Sequence, residues 1–174
     1  MAQGKDPEKI QTNVAAPKSV GHGKVVPPNT HNREVLLTYL LHMSEKVAAR
    51  LRRHDMTASR FFVGLRAKEK WLGGKVHRVI PTSDGREIYA ICREVFNRNW
   101  HGDGIFQVQV TALNPLQGKE QLDLFVEHDF KRNRANSVTD EINGQFGEFT
   151  LMPARLLNRS EMPNVIAPSW KPTG

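Results

Sequence analysis

The chain has 174 residues, of which 39% are hydrophobic and 25% are charged, so it suits one ordinary domain with appended segments. No apolar run reaches the ~18 residues of a membrane-spanning helix, and the N-terminus lacks the apolar core of a signal peptide. The single cysteine, Cys92, excludes an internal disulfide framework and a multi-cysteine zinc site. We therefore expect a cytoplasmic protein that does not contact a membrane.

The positive charge is concentrated in the middle of the chain. The net charge of +7 comes from 25 Lys and Arg against 18 Asp and Glu. Residues 18–112 hold 16 basic and 8 acidic residues, a net +8, whereas residues 1–17 are neutral and residues 113–174 are net −1. Such a local excess is typical of a domain that binds a polyanion. A solvated basic surface without a partner is the alternative.

The first predicted elements are a strand and a long helix. The strand covers Lys18 to Val26, where Pro27-Pro28 would end it. Asn32 is a good N-cap for a helix over 33–54. Apolar residues recur at helical spacing on one face of it, at Leu36, Leu40, Met43, Val47 and Leu51.

Two strands, a helix and a last strand follow. The strand over 60–68 alternates, with an apolar face of Phe61, Val63, Leu65 and Ala67 and a basic face that includes Phe62. After a turn at 69–74, a strand over 75–80 ends at Pro81. A helix from about Asp84 to Asn99 places Cys92 on its apolar stripe, which predicts a buried small side chain rather than a nucleophile. The last strand covers 105–112.

This order predicts an α+β fold of the β-α-β-β-α-β type. Both helices are apolar on one side only, so we expect them on one face of an antiparallel four-stranded sheet, with the other face open and basic. A small C-terminal appendage would follow. In it, Ser137 and Asp140 form a possible capping box, Gly144 and Gly147 would end the helix, and residues 149–152 could form a short strand.

Motifs for common catalytic chemistry are absent from the sequence. It contains no glycine-rich phosphate loop, no H-E-x-x-H motif and no nucleophile elbow, and its seven histidines lack ligand spacing. We therefore assign no catalytic residue and no metal ligand.

Several segments together resemble the C-terminal region of Y-family translesion DNA polymerases, most closely the UmuC/ImpB/MucB branch. They include Gly4-Lys5-Asp6, Lys18-Ser19-Val20-Gly21-His22-Gly23, Pro81-Thr82-x-Asp84 and Leu113-Asn114-Pro115. The resemblance implies that residues 1–16 are the end of a thumb domain or a linker and that residues 17–115 form a DNA-binding little finger domain. Residues 116–136 would be a linker and residues 137–174 the appendage.

The resemblance also implies that the catalytic palm domain is not part of this stretch. The stretch would then be no enzyme by itself and would hold no cofactor, while the parent chain would be a DNA-directed DNA polymerase that uses Mg²⁺. We expect the fragment to be monomeric.

In this family the open sheet lies against primer-template duplex and contacts phosphates without reading bases. Lysine and arginine suit this contact because they neutralise phosphates and release counterions. The candidate DNA-binding residues are Lys18, His22, Lys24, Arg60, Arg66, Lys68, Lys75, His77 and Arg78.

A second motif lies in the predicted linker. The run Gln121, Leu122, Asp123, Leu124 and Phe125 resembles the pentapeptide with which bacterial proteins bind the sliding clamp. Leu124 and Phe125 would enter an apolar cleft of the clamp, which would tether the polymerase near the primer end. Packing of the two side chains on this chain's own core is the alternative.

The resemblance therefore predicts a non-sequence-specific DNA-binding domain that serves lesion bypass and the SOS response in the bacterial nucleoid. Two other functions stay open at this point. One is an adaptor from a catalytically degenerate polymerase, which would link the clamp to other repair proteins. The other is an RNA-binding α/β module, which would need two or three aromatic side chains on the open face, where the alternation offers only Phe62.

Overall fold

The structure, a computed structural model, describes residues 17–117 and 130–161. Its main elements follow the predicted order: β1 (Ser19–Thr30), α1 (Arg33–Arg53), β2 (Met56–Arg66), β3 (Trp71–Thr82), α2 (Gly85–Asn99) and β4 (Ile105–Leu113). They are followed by β5 (Leu116–Gln117), α3 (Phe130–Phe146) and a 3-10 helix (Ala154–Glu161). The predicted α+β fold is confirmed.

The four long strands form one antiparallel sheet in the order β1-β4-β2-β3. The short β5 pairs with the start of β2. Strands β1 and β2 are therefore parallel with β4 between them, and β3 and β4 are parallel with β2 between them. This arrangement leaves β1 and β3 as the two edges of the sheet.

Both helices pack on one face of this sheet and enclose the core. The five apolar residues predicted for the first helical face are fully buried, as are Ile88, Cys92 and Phe96 of α2. Phe61, Val63 and Leu65 of β2 meet them from the sheet. Burial raises the pKa of the Cys92 thiol to about 12, although a hydrogen bond with Ser44 opposes the shift. The prediction that Cys92 is a core residue is confirmed.

Side-chain caps determine where the two helices begin. The Asn32 side chain accepts hydrogen bonds from the N–H groups of Glu34 (2.9 Å) and Val35 (3.2 Å). Asp84 Oδ1 accepts from the N–H groups of Arg86 (2.8 Å) and Glu87 (3.2 Å). Because these bonds satisfy donors that the helix itself leaves unpaired, both starts agree with the sequence prediction.

Two predicted strand ends are wrong, and both involve proline. β1 continues through Pro27-Pro28 to Thr30, and β3 includes Pro81. Both are edge strands, where a missing N–H removes no ladder bond if it points away from the sheet. The register of β1 shifts between Val25 and Thr30, where Asn29 adopts a positive φ of 59°.

The appendage also differs from the prediction. α3 begins at Phe130, inside the range interpreted as a linker, and not at Ser137. The Ser137 hydroxyl lies inside the helix and donates to the carbonyl of Asn133 at 3.1 Å, so the capping box is wrong. Residues 149–152 form a turn region rather than a strand, because Asn143 bonds both the N–H and the carbonyl of Leu151.

Candidate nucleic-acid interface

The register of the sheet determines which side chains share the face that the helices leave uncovered. Residues directly opposite each other in antiparallel strands point to the same side. Because Phe61, Val63 and Leu65 face the helices, the alternate residues of β2 and their partners face away. We call this set the open face: Ser19, Gly21, Gly23, Val25, Arg60, Phe62, Gly64, Arg66, Trp71, Gly73, Lys75, His77, Gln107, Gln109, Thr111 and Leu113.

The open face is basic because the strands contain cations and no carboxylates. None of the four long strands contains an aspartate or glutamate. Arg60 lies opposite His77, Phe62 opposite Lys75, and Arg66 opposite Trp71. A groove of 340 Å³ lies beside Arg60, Lys75 and His77. Such a surface attracts an extended polyanion rather than a small molecule.

Glycine leaves room for two aromatic side chains at one end of the open face. A Cβ atom on Gly64 would lie 2.9 Å from Phe62 Cε1 and 3.0 Å from Trp71 Cε3. The Arg66 guanidinium lies 6.0 Å from the centroid of the Trp71 ring. The absence of a side chain at Gly64 therefore makes room for an aromatic and cationic group beside the basic rows.

Six of the nine predicted DNA-binding residues lie on the open face or next to it. Arg60, Arg66, Lys75 and His77 belong to the face itself. Lys18 is exposed just before β1, and Lys68 is exposed in the turn between β2 and β3. The structure brings Arg60, Arg66, Lys75 and His77 to one side of the sheet, whereas Lys18 and Lys68 lie at its margins. The role of all six residues in DNA binding stays a prediction.

The other three predicted residues lie elsewhere. His22 and Lys24 alternate with the open-face residues of β1 and share the side of buried Val20 and Val26, toward the helices. The Lys24 ammonium lies 5.9 Å from the centroid of the Tyr39 ring. Burial lowers the pKa of His22, and the nearby charges of Lys46 and Arg50 lower it further. Arg78 is half-buried in the irregular stretch of β3.

One residue of the open face, Trp71, was not among the candidates predicted from the sequence, and one predicted motif lies beyond the described residues. Trp71 was assigned to a turn, and only the register shows that it faces the open side. The pentapeptide at 121–125, predicted to bind the sliding clamp, lies outside the described residues.

No described helix is long and apolar enough to cross a membrane. The described residues contain no cluster of three metal-ligating side chains.

Comparisons with known proteins show relatives that are much longer than this chain. It is 29% identical over 141 residues to a protein named for UV-damage repair, UvrX of Bacillus subtilis (strain 168). It is 28% identical over 151 residues to DNA polymerase IV of Moorella thermoacetica. These alignments cover 78% and 82% of this chain and 34% and 35% of the relatives. The chain thus spans about a third of the length of the curated relatives that it matches.

Among solved structures, one similar chain is described as a complex of the beta-clamp processivity factor and the little finger domain of PolIV. It has a TM-score of 0.47 and 19% identity, and the match covers 62% of this chain and 99% of that chain. Residues 17–124 match the family described as the impB/mucB/samB family C-terminal domain. This match covers the whole sheet and both core helices and confirms the resemblance seen in the sequence. The chain therefore belongs to the impB/mucB/samB C-terminal domain family.

Proposed function

We propose that this domain binds the phosphate backbone of duplex DNA through its open face, without reading the base sequence, as part of a translesion DNA polymerase. The observation that carries the proposal is the charge of that face: four long strands without a carboxylate present Arg60, Arg66, Lys75 and His77 on one uncovered surface. Such basic and polar side chains position a duplex but carry no sequence information, which suits an enzyme whose templates are damaged at unpredictable sites.

The parent protein in this proposal is a DNA-directed DNA polymerase that acts in lesion bypass and the SOS response. The catalytic carboxylates and their Mg²⁺ ions would belong to other parts of that protein. The relatives named as DNA polymerase and repair protein support this proposal. A cytoplasmic location at the bacterial nucleoid follows from it.

The salt dependence of DNA binding tests the proposal. We expect the affinity for duplex DNA to fall steeply with salt, and the triple variant Arg60→Gln, Arg66→Gln, Lys75→Gln to reduce the magnitude of the log–log slope by about 2–3. The matched control removes three exposed cations of α2, on the other layer of the fold, at Arg86, Arg93 and Arg98. Equal losses in the two triple variants, or an affinity that ignores salt, would contradict the proposal.

We further propose that Gln121–Phe125 binds the bacterial sliding clamp. Its support is the sequence, in which two large apolar residues, Leu124 and Phe125, stand in a polar segment. The double variant Leu124→Ala, Phe125→Ala should abolish clamp binding in a calorimetric titration and leave DNA binding unchanged. Replacing two exposed apolar residues elsewhere, Val79 and Leu116, with alanine provides the control. Clamp binding that survives the change at Leu124 and Phe125 would refute the assignment, as would an equal loss in the control.

A second candidate, binding of single-stranded RNA, is favoured by one specific observation. The open face carries two aromatic residues, Phe62 and Trp71, and not Phe62 alone. Bases stack on such rings, whereas duplex phosphates do not need them. If the domain prefers single-stranded RNA to duplex DNA, and Trp71→Ala weakens binding more than Lys75→Gln does, this candidate replaces the first.

A further inference from the structure

A second group of basic side chains lies beside edge strand β1, on the side of the sheet opposite the open face. On the side of the sheet that carries the helices, a cavity of 810 Å³ separates α1 from α3 and the turn that follows it. His22 of β1 lines it together with three cations of α1, Lys46, Arg50 and Arg53. We call these four residues the basic cleft. The family resemblance singled out only His22 among them.

The charges around the cavity fall into two groups. Toward α2, the half-buried Glu45 carboxyl has a pKa raised by burial, and it lies near Arg52, Asp84 and Asp140. There the cation Arg52 is bound by Asp140 at 2.6 and 2.7 Å. Toward β1, the strongest charges acting on His22 are Lys46 and Arg50, and the carboxylate nearest in effect is Glu148. Asp55, just after α1, also lines the cavity, but it is not among the main charges that act on His22. The β1 side therefore has an excess of cations.

Glu148 places a carboxylate in the basic cleft. Its Oε2 lies 3.1 Å from Lys46 Nζ. Burial alone would raise the pKa of Glu148, but the hydrogen bond and charge of Lys46, with the charges of Arg53 and His22, outweigh burial and lower it. The cleft is thus arranged to hold an anion, and an acidic side chain of the same chain holds that position.

The turn that carries Glu148 is held in place from both sides. The Asn143 side chain bonds the backbone of Leu151 at 2.8 and 2.9 Å, and the Phe149 ring packs edge-on against His42 at 4.7 Å. Gly147, with a φ of 109°, makes the sharp exit from α3. The Glu148 side chain is nevertheless 66% exposed. The carboxylate is therefore accessible to solvent, although the turn that carries it is held in place.

We propose that the basic cleft is a second binding site for nucleic-acid phosphates, and that Glu148 is an acidic cover that competes with them. This inference rests on the proposed DNA binding by the open face. The occupant follows from geometry: the cleft and the open face lie on the two sides of edge strand β1, and Arg50 Nη1 bonds the carbonyl of open-face Gly21 at 3.2 Å. A backbone that crosses the open face and passes the β1 edge reaches the cleft.

The test compares Glu148→Gln with a matched control, Glu141→Gln, which removes the same charge from an exposed position of α3 outside the cleft. At low salt, Glu148→Gln should strengthen duplex DNA binding roughly two- to fivefold, as expected for one exposed charge pair, and Glu141→Gln should change it much less. Adding Lys46→Gln to Glu148→Gln should remove the gain, whereas adding Arg98→Gln should not.

Backbone amide shifts in nuclear magnetic resonance spectra locate the contact. Duplex DNA should shift the amides of Lys46 and Arg53, and inorganic phosphate at the same phosphate concentration should not. Equal effects of Glu148→Gln and Glu141→Gln, or equal shifts with inorganic phosphate, would overturn the inference. If the wild-type domain binds DNA and responds to the open-face triple variant, such a result refutes only the second site. If the wild-type domain does not bind DNA, the proposed function itself fails.

Discussion

Helices α2 and α3 have similar lengths, but they are held to the rest of the molecule by different kinds of contact. α2 buries an apolar stripe that includes Ile88, Cys92 and Phe96 against α1 and the sheet. α3 has no buried residue, and its polar side faces the body while Val138 and Phe146 are exposed. Its side-chain contacts with the body include ion pairs and hydrogen bonds, from Arg132 and Asn136 to Asp84 and from Arg52 to Asp140.

The difference predicts that the attachment of α2 is insensitive to salt, whereas the attachment of α3 depends on it. Burial of apolar surface contributes about 25 cal/mol per Å² and is insensitive to salt, whereas partly exposed ion pairs contribute little and are screened. Leu156 is the one fully buried apolar side chain among the described residues after 117, so it anchors the 3-10 helix that follows α3. α3 is therefore the element whose attachment we expect to weaken with salt.

The largest expected effect is the difference in stability loss when one phenylalanine of each helix is replaced by alanine. Phe96 is fully buried and stacks on Trp100 with ring centroids 4.9 Å apart, whereas Phe146 is 67% exposed. Phe96→Ala should lower the free energy of unfolding by about 3–5 kcal/mol because it leaves a cavity. Phe146→Ala should change it by less than about 0.5 kcal/mol. Urea denaturation measures both, and a large loss from Phe146→Ala would show that α3 belongs to the core.

A smaller effect is expected at Asp84, which caps α2 and binds α3 at the same time. Asp84→Ala should cost about 1–2 kcal/mol through the lost cap and should also release α3. Asn32→Ala removes the corresponding cap of α1, without contacts to α3, and should cost about 1 kcal/mol. Hydrogen exchange of the α3 amides distinguishes the variants, because only Asp84→Ala should accelerate it. Unchanged exchange in Asp84→Ala would contradict the polar docking of α3.

The smallest effect is expected when the pH is lowered and Asp84 becomes protonated. Burial alone would raise the pKa of Asp84, but bonds from Asn136, the Glu87 N–H and Arg132 outweigh it and lower the pKa below the ordinary value of 3.8. The stabilisation from this carboxylate is therefore present above that ordinary value and is lost as the pH falls through the lowered pKa. In an acid titration, the amide shifts of α3 should move toward random-coil values before those of α2. Simultaneous changes in both helices would argue against separate attachment.

The sequence predicts the elements whose signals are local. Asn32 and Asp84 cap helices with their own side chains, and the apolar stripes of α1 and α2 recur at helical spacing, so neither depends on distant residues. Alternation in β2 separates Arg60 and Arg66 from Phe61 and Val63 for the same reason. The prolines of β1 and β3 mislead because proline disrupts a central strand but is tolerated in an edge strand. The sequence of one strand does not reveal where that strand lies in the sheet.

The start of α3 is also hard to read from sequence. Its side facing the body is polar, so the usual apolar periodicity is missing, and Ser137 and Asp140 resemble a start signal in the middle of the helix. The contact between Asp84 and α3, and the position of Trp71 on the open face, depend on residues far away in the chain. Neither could be predicted from the spacing of nearby residues.

The amino-acid sequence alone determined the alternation of strands and helices, the two caps, the buried faces and the basic charge of the central segment, because each depends on neighbours within a few turns or strand positions. The tertiary structure decided which cations meet. The strand order β1-β4-β2-β3 brings Arg60, Lys75 and His77 together and places His22 with Lys46 on the opposite side. The reason is that electrostatic action requires proximity in space, and only the pairing of distant strands creates it.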